Sequence, residues 1–274
     1  MKFFIVKFIL FISQRTFFGR GKIRKILVNL INFLIPSNNS LDARFICYVK
    51  NVPFNFYNDN LTGIKVYFGR NEVKEINFIK NNSPDKSIFI DIGANMGLYT
   101  QNIAFLNNPN RKIKIISIEP NPINVDRLKK NIVLLQGKIK GIKKLVKVIK
   151  CAVGKDNYKK KLDFSSGFAT GNISKSNNVK NSILVNCRKL YDIINDENLS
   201  YITNLKIDIE GYEDRALIPF FNTAKKSLFP KNILLEHSSS KLWENDLIKF
   251  LIKKGYKIVF KNKSNLALTL NQYL

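Results

Sequence analysis

From residue 87 onward the chain alternates short apolar runs with segments whose apolar residues recur three and four apart. The runs occupy 88–92, 113–118, 145–149, 202–209 and 233–235, each bounded by Gly, Asn, Pro or acidic residues. Between them, 96–105, 125–135, 213–221 and 242–253 carry the repeat of a helix that buries one stripe. Runs apolar on both faces, alternating with such helices, predict a parallel sheet covered on both sides. The chain ends differently: 255–260 and 265–270, separated by the polar turn 261–264, predict an antiparallel hairpin. The fold class is therefore α/β, with a mostly parallel sheet that finishes in a hairpin.

Upstream, 41–80 mixes short apolar runs with turn formers. It predicts short strands, Ile64-Lys65-Val66-Tyr67-Phe68-Gly69 among them, and then a helix over 72–80. Residues 1–40 read as a basic amphipathic helical extension to a domain over 41–274, whose core spans about 85–270. The first apolar run is short and broken by Lys2 and Lys7, whereas a membrane span needs about 20 apolar residues. No small-residue cleavage site follows it, which argues against a signal peptide. Two readings of these helices stay open: they lie on an anionic membrane surface, or they pack on the core with solvated basic faces. Residues 154–187, rich in Ser, Asn and Lys, form an insertion where substrate contacts are expected, because loops on a rigid sheet commonly carry specificity.

Composition narrows the partners. The 46 Lys and Arg residues against 20 acidic ones give a formal charge of +26, a field that gathers phosphates. Lys outnumbers Arg, however, and Asn is abundant along the whole chain, whereas a nucleic-acid reader concentrates Arg beside aromatic platforms. Nucleic acid is not the expected partner. Cys47, Cys151 and Cys187 lack CxxC spacing, so they predict neither a disulfide framework nor a zinc site, and a reducing compartment fits them.

Three strand ends carry candidate chemistry. After Ile88-Phe89-Ile90, Asp91 stands at a carboxyl edge, and Gly93 and Gly97 bracket the turn Gly93-Ala94-Asn95-Met96-Gly97. Glycines there let backbone N–H groups approach a ligand, and a following helix N-terminus favours an anion. The spacing is neither GxGxxG nor a P-loop. Glu119, closing the next strand in Ile118-Glu119-Pro120-Asn121, can accept hydrogen bonds from both ribose hydroxyls of a nucleoside; alternatively it caps the next helix. Leu205-Lys206-Ile207-Asp208-Ile209-Glu210-Gly211 brings two carboxylates to the same edge, where they can take a proton, orient a nucleophile, hold a cation or simply cap a helix. Leu235-Glu236-His237 adds the only histidine of the chain, as a base near neutral pH or as a structural residue.

Taken together, Phe89-Ile90-Asp91-Ile92-Gly93-Ala94-Asn95-Met96-Gly97-Leu98-Tyr99, Ser117-Ile118-Glu119-Pro120-Asn121-Pro122, Ala152-Val153-Gly154, Leu205 to Glu213 and Leu235-Glu236-His237 resemble the FkbM-type methyltransferase family. The resemblance implies a Rossmann-like class I methyltransferase fold and S-adenosylmethionine as cofactor. It implies an O-methyltransferase whose acceptor is a hydroxyl of a sugar, glycan, lipid-linked precursor or secondary metabolite. Asp91, Gly93, Asn95 and Gly97 would meet the methionine end, Glu119 would hold the ribose, Cys151 and Ala152 would lie by the adenine, and Ala94, Tyr99, Pro120 and Asn121 would also contact the cofactor. Methyl transfer would then be a direct displacement at the sulfonium carbon, with Asp208, Glu210 or His237 as base. A variant has Asp208 and Glu236, with His237, holding a divalent cation such as magnesium.

Two rivals come from other classes. An NAD-dependent oxidoreductase is favoured by Glu119 and disfavoured by the missing third glycine. A noncatalytic membrane-associated scaffold would leave Asp91, Glu119 and Asp208 without a physical reason to share one sheet edge. The expected location is the cytoplasm, at the inner membrane surface if the basic extension meets anionic lipid.

Overall fold

The computed structural model describes residues 1–16, 21–36, 43–58, 64, 66–69, 72–108, 110–163, 172–173 and 182–271. Helices α1 (Lys2–Arg15) and α2 (Gly21–Leu34) lead into the antiparallel pair β1 (Phe45–Val49) and β2 (Val52–Phe56). Helix α3 (Val73–Asn81) precedes the first βα unit, β3 (Ile88–Ile92) and α4 (Leu98–Ala104). The chain continues through β4 (Lys114–Ile118), α5 (Pro122–Val133), α6 (Ile142–Leu145) and β5 (Val146–Ile149). Next come β6 (Ala152–Gly154), β7 (Tyr158–Asp163), β8 (Asn172–Ile173), β9 (Ser182–Lys189) and α7 (Leu190–Asp196). Strand β10 (Asn204–Ile207), α8 (Glu213–Thr223), β11 (Asn232–Glu236), α9 (Leu247–Lys253), β12 (Tyr256–Lys261) and β13 (Asn265–Leu270) complete it.

The main sheet has seven strands in the order β12-β13-β11-β10-β3-β4-β5. β11, β10, β3, β4 and β5 run parallel, and β13 joins β11 antiparallel as the inner strand of the terminal hairpin. This is the α/β, Rossmann-like arrangement, and its two faces follow from side chains that alternate along each strand. Ile90, Ile92, Ile116 and Ile118 face a core completed by α7, α8 and α9, while Phe89 and Ile115 face one completed by α3, α4 and α5. α5 starts three residues before the expected 125–135 stretch, because Pro122 sits in its first turn and the Asn121 side chain accepts from the Ile123 N–H.

Three segments differ from their sequence patterns. Ile64, Val66 and Tyr67 are helical, not extended, and the reason lies in spacing: the fully buried Ile64, Tyr67 and Phe68 fall three and four apart, one helical stripe. The helix expected over 242–253 starts only at Leu247, where the Asp246 side chain caps the Lys249 N–H; Ser240–Leu242 is a separate 3-10 turn. The expected insertion loop contributes a second sheet of four strands, β6-β9-β7-β8, with 164–171 and 174–181 outside the described residues. A third core, built from Val6, Leu10, Val28, Ile31, Phe54, Phe56 and Tyr67, joins α1 and α2 to β1, β2 and Met96.

Candidate functional site

β3 is flanked by β10 on one side and β4 on the other, so it stands at the switch point of strand order, and the carboxyl end of that point is where open α/β sheets bind ligands. Here the turn after β3 is locked to its neighbours. The Gly93 and Ala94 N–H groups both donate to the Ile118 carbonyl, at 2.9 and 3.1 Å. Gly93 has a φ of +73°, and a Cβ on it would lie 1.9 Å from the Asp208 carbonyl oxygen. Only glycine lets the β3 and β10 ends approach this closely.

Glu119 is buried, and its two oxygens face two different segments. Oε2 accepts from the Asn95 N–H at 2.8 Å and Oε1 from the Asn121 N–H at 2.9 Å. Burial raises its pKa, against the N–H bonds from Asn121 and Asn95 that lower it. It braces the start of α5, and the Asn124 side chain also hydrogen-bonds it; with three donors on two oxygens, the carboxylate keeps room for one more. Pro120 is half-buried beside it and Asn121 is buried.

The rest of the turn consumes its own donors. The Met96 N–H donates to Asn95 Oδ1, the Gly97 N–H to the Ala94 carbonyl, and the Thr100 N–H to Asp91 Oδ2. Every N–H from Gly93 through Gly97 thus has a partner within the chain. The turn accordingly does not offer the ring of free amides that a phosphate needs.

Asp91 lies wholly inside. Its Oδ2 takes both the N–H and the hydroxyl of Thr100, whose Oγ1 also lies 2.6 Å from Ser117 Oγ. Its Oδ1 has no hydrogen-bond partner among the described residues and sits 3.6 Å from Lys206 Nζ. Lys206, which the sequence reading left aside, donates to the Gly93 carbonyl at 2.9 Å, lies 3.9 Å from Asp208 Oδ2, and stands over the Tyr99 ring. Burial alone would depress its pKa, but Asp208, Asp91, Glu72 and Glu119 outweigh burial and raise it. The signal in the sequence was a charged residue inside an otherwise apolar strand. Tyr99 is buried and hydrogen-bonded to Glu72; burial and that carboxylate hold its phenol well above the usual range. Glu72 reaches the site from the start of α3, and only the tertiary fold places it there.

Asp208 and Glu210 follow β10 and are partly open to solvent. Glu210 is in the left-handed region at φ 56°, and burial, followed by Asp208, Glu236 and Glu213, pushes its carboxyl up to about 7. Glu213 is withdrawn: it caps the Ile209 and Gly211 N–H groups and accepts from Trp243 Nε1. His237 is drawn to the hairpin turn, with Nε2 3.1 Å from the Asn262 carbonyl and its own N–H on Ser264. Cys151 is buried in the main core, where burial pushes its thiol up to about 12, and Ala152 packs under the second sheet; neither turns a side chain outward.

The divalent-cation reading does not fit this donor set. Glu236 ends β11, the strand next to β10, but its Oε1 is taken by the N–H and hydroxyl of Ser238. Among the described residues no three His, Cys, Asp or Glu side chains are grouped to hold a metal ion. Lys206 already supplies a positive charge next to Asp208.

Comparison with known proteins follows the same outline. The family model for the methyltransferase FkbM domain matches residues 91–258, more than half of the chain. No curated protein matches the sequence. A solved methyltransferase FkbM from Methylobacillus flagellatus KT is similar at 18% identity and a TM-score of 0.46, over 68% of this chain; the chain spans 43% of that protein's length. A human methyltransferase 10 domain containing protein is similar at 12% identity and a TM-score of 0.48, over 90% of this chain and 94% of that one. A methyltransferase from Geobacter sulfurreducens is similar at 12% identity and 0.41, over 78% and 80%. On the strength of the family match, the chain belongs to the methyltransferase FkbM domain family.

Proposed function

We propose that the protein is an S-adenosylmethionine-dependent O-methyltransferase acting on a hydroxyl of a sugar, glycan or lipid-linked precursor in the cytoplasm. The observation that carries the cofactor is the census of donors and acceptors at the β3 edge. The turn's N–H groups are spent within the chain, while the Glu119 carboxylate keeps acceptor capacity. A ribose diol and a cationic methionine end suit such an edge, and the pyrophosphate of NAD does not. This separates the methyltransferase reading from the oxidoreductase.

The residues present fit the cofactor. Glu119 would hold the ribose, with Pro120 and Asn121 beside it, and the 91–99 turn would receive the methionine end through its carbonyls. Cys151 and Ala152 would line the adenine by backbone only, since their side chains are buried. When bound, S-adenosylmethionine supplies a methyl group that carries its own activation, so the protein's share is alignment and removal of a proton. Asp208 and Glu210, partly open to solvent after β10, would meet the acceptor hydroxyl, and a carboxyl with a pKa of about 7 is suited to take its proton near neutral pH. His237 would take part by its other ring nitrogen or by shaping the acceptor side.

The test is calorimetric titration with S-adenosylhomocysteine and, separately, NAD, repeated on Glu119→Gln. Micromolar binding of the homocysteine compound that weakens in the variant, with none for NAD, is the expected result. Failure of S-adenosylhomocysteine to bind a folded protein would sink the assignment.

A further inference from the structure

The first two helices are apolar on two opposite sides. On α1, Val6, Leu10 and Ser13 are buried against the third core, and on α2 Val28 and Ile31 are buried there. The opposite stripe of α1 carries Phe4, Phe8 and Phe11, spaced four and three, and that of α2 carries Ile26, Leu30 and Phe33. All six are exposed, Phe4 by 74% and Phe33 by 82%. Both helices lay their inner faces on the same core and touch each other, so the outer stripes adjoin on one side of the molecule.

Gln14 fixes this orientation. Its Nε2 donates to the Tyr48 and Tyr67 carbonyls at 2.7 and 2.9 Å, and its Oε1 accepts from the Lys50 N–H. α1 therefore cannot roll its phenylalanines inward without breaking three bonds. Contiguous exposed apolar faces beyond about a few hundred Å² mark a contact surface in soluble folds.

Charge identifies the contact. No acidic residue precedes Asp42, while the same stretch holds seven basic ones. Lys2, Lys7, Arg15, Lys22 and Lys25 are exposed around the apolar stripes. No described helix is long and apolar enough to cross a membrane. Aromatic side chains that enter the acyl boundary, rimmed by cations that meet headgroups, match an anionic lipid surface.

We infer that the outer face of α1 and α2 seats the protein on an anionic bilayer while the inner face of the same helices packs on the domain. The sequence left interfacial and core-packing helices as alternatives; here one helix pair does both. This surface is separate from the reaction proposed above, so vesicle binding and S-adenosylhomocysteine binding can fail independently.

Co-sedimentation with phosphatidylcholine vesicles, with and without phosphatidylglycerol, tests it on the full chain. The wild type should bind only the anionic vesicles, and added salt should weaken binding. A Phe4→Ser, Phe8→Ser, Phe33→Ser triple variant should lose at least about tenfold in partitioning. Lys2→Gln, Lys22→Gln and Lys25→Gln should each cost roughly fivefold. These positions are exposed, and circular dichroism and S-adenosylhomocysteine titration, unchanged in every variant, would confirm that the fold survives. Binding that the triple variant retains, or indifference to phosphatidylglycerol, would overturn the inference. So would a wild type that ignores vesicles and is a dimer converted to monomer by the Phe substitutions, because the face would then be an interface between copies.

Discussion

Replacing Lys206 by Met removes the ammonium but keeps an unbranched side chain of similar length. The native Nζ is buried, donates to the Gly93 carbonyl at 2.9 Å and lies 3.6 Å from Asp91 Oδ1. Asp91 is wholly inaccessible, so the variant leaves a buried carboxylate with one oxygen unpaired. Breaking one side of such a pair costs about 3–5 kcal/mol. For a chain of this size that converts to a midpoint lowered by roughly 6–20 °C. Asp91→Asn should cost less, because the Thr100 bonds can be kept by the amide oxygen. The informative measurement is the cycle: urea denaturation of Lys206→Met, Asp91→Asn and the double variant. With the second charge gone, the first no longer lacks a partner, so the double variant should be at least about 1 kcal/mol more stable than the sum of the singles predicts. Strict additivity, or a Lys206→Met that costs under about 1 kcal/mol, would show that the pair does not hold the turn.

Gly93→Ala should separate the β3 and β10 ends, since the added Cβ meets a backbone carbonyl at 1.9 Å and backbone cannot yield cheaply. A loss of at least about 3 kcal/mol in urea denaturation, together with lost S-adenosylhomocysteine binding, is expected. Glu119→Gln keeps the shape but exchanges a charged acceptor for a neutral one; calorimetry should show S-adenosylhomocysteine binding weakened about 10- to 100-fold. If Glu210 accepts the proton, methyl-transfer rate should rise with pH through about 7 and fall about tenfold roughly one pH unit below it. Because Lys206 lowers the Glu210 pKa, that limb should move to higher pH in Lys206→Met, and Glu210→Gln should abolish it. Stability runs the opposite way. A carboxyl whose folded pKa is raised destabilises the fold as pH climbs from its ordinary value near 4.5 through about 7, so Glu210→Gln should gain stability above neutrality.

Where local pattern and tertiary environment agreed, the sequence was enough. β3 is apolar on both faces because it lies inside a parallel sheet. The carboxyl-edge placement of Asp91, Glu119 and Asp208 followed from strand ends alone. Other features depended on what the fold brings together. The 64–69 run contains β-formers, and its helical burial is set by the third core. Glu72 and Thr100 carry no signal in the chain, because their importance comes from Tyr99 and Asp91 being brought to them. The glycines of the turn suggested open amides, but Ile118, Asn95 and Glu119, two of them on or after a neighbouring strand, close them. A spacing cannot report which acceptors the tertiary structure will supply.

A chain with a formal charge of +26 thus places acidic groups where it would act. Asp91, Glu119, Asp208, Glu210, Glu236 and Glu72 gather at one sheet edge around the ammonium of Lys206. Burial leaves Glu72, Glu119 and Glu210 with raised pKa values, and Glu210, at about 7, is near half-protonated at neutral pH. A cation set beside such a carboxyl favours its charged form and lowers its pKa. S-adenosylmethionine carries a sulfonium where S-adenosylhomocysteine carries a neutral thioether, and the two are otherwise alike. Binding the first should therefore release up to about half a proton at pH 7, and binding the second markedly less. Calorimetry in phosphate and in Tris, whose ionisation enthalpies differ widely, reads this directly as the dependence of observed heat on buffer. The S-adenosylmethionine dependence should shrink in Glu210→Gln. Equal dependence for both ligands would mean that the sulfonium does not approach these carboxylates, and the proton-accepting role of Glu210 would fall with it.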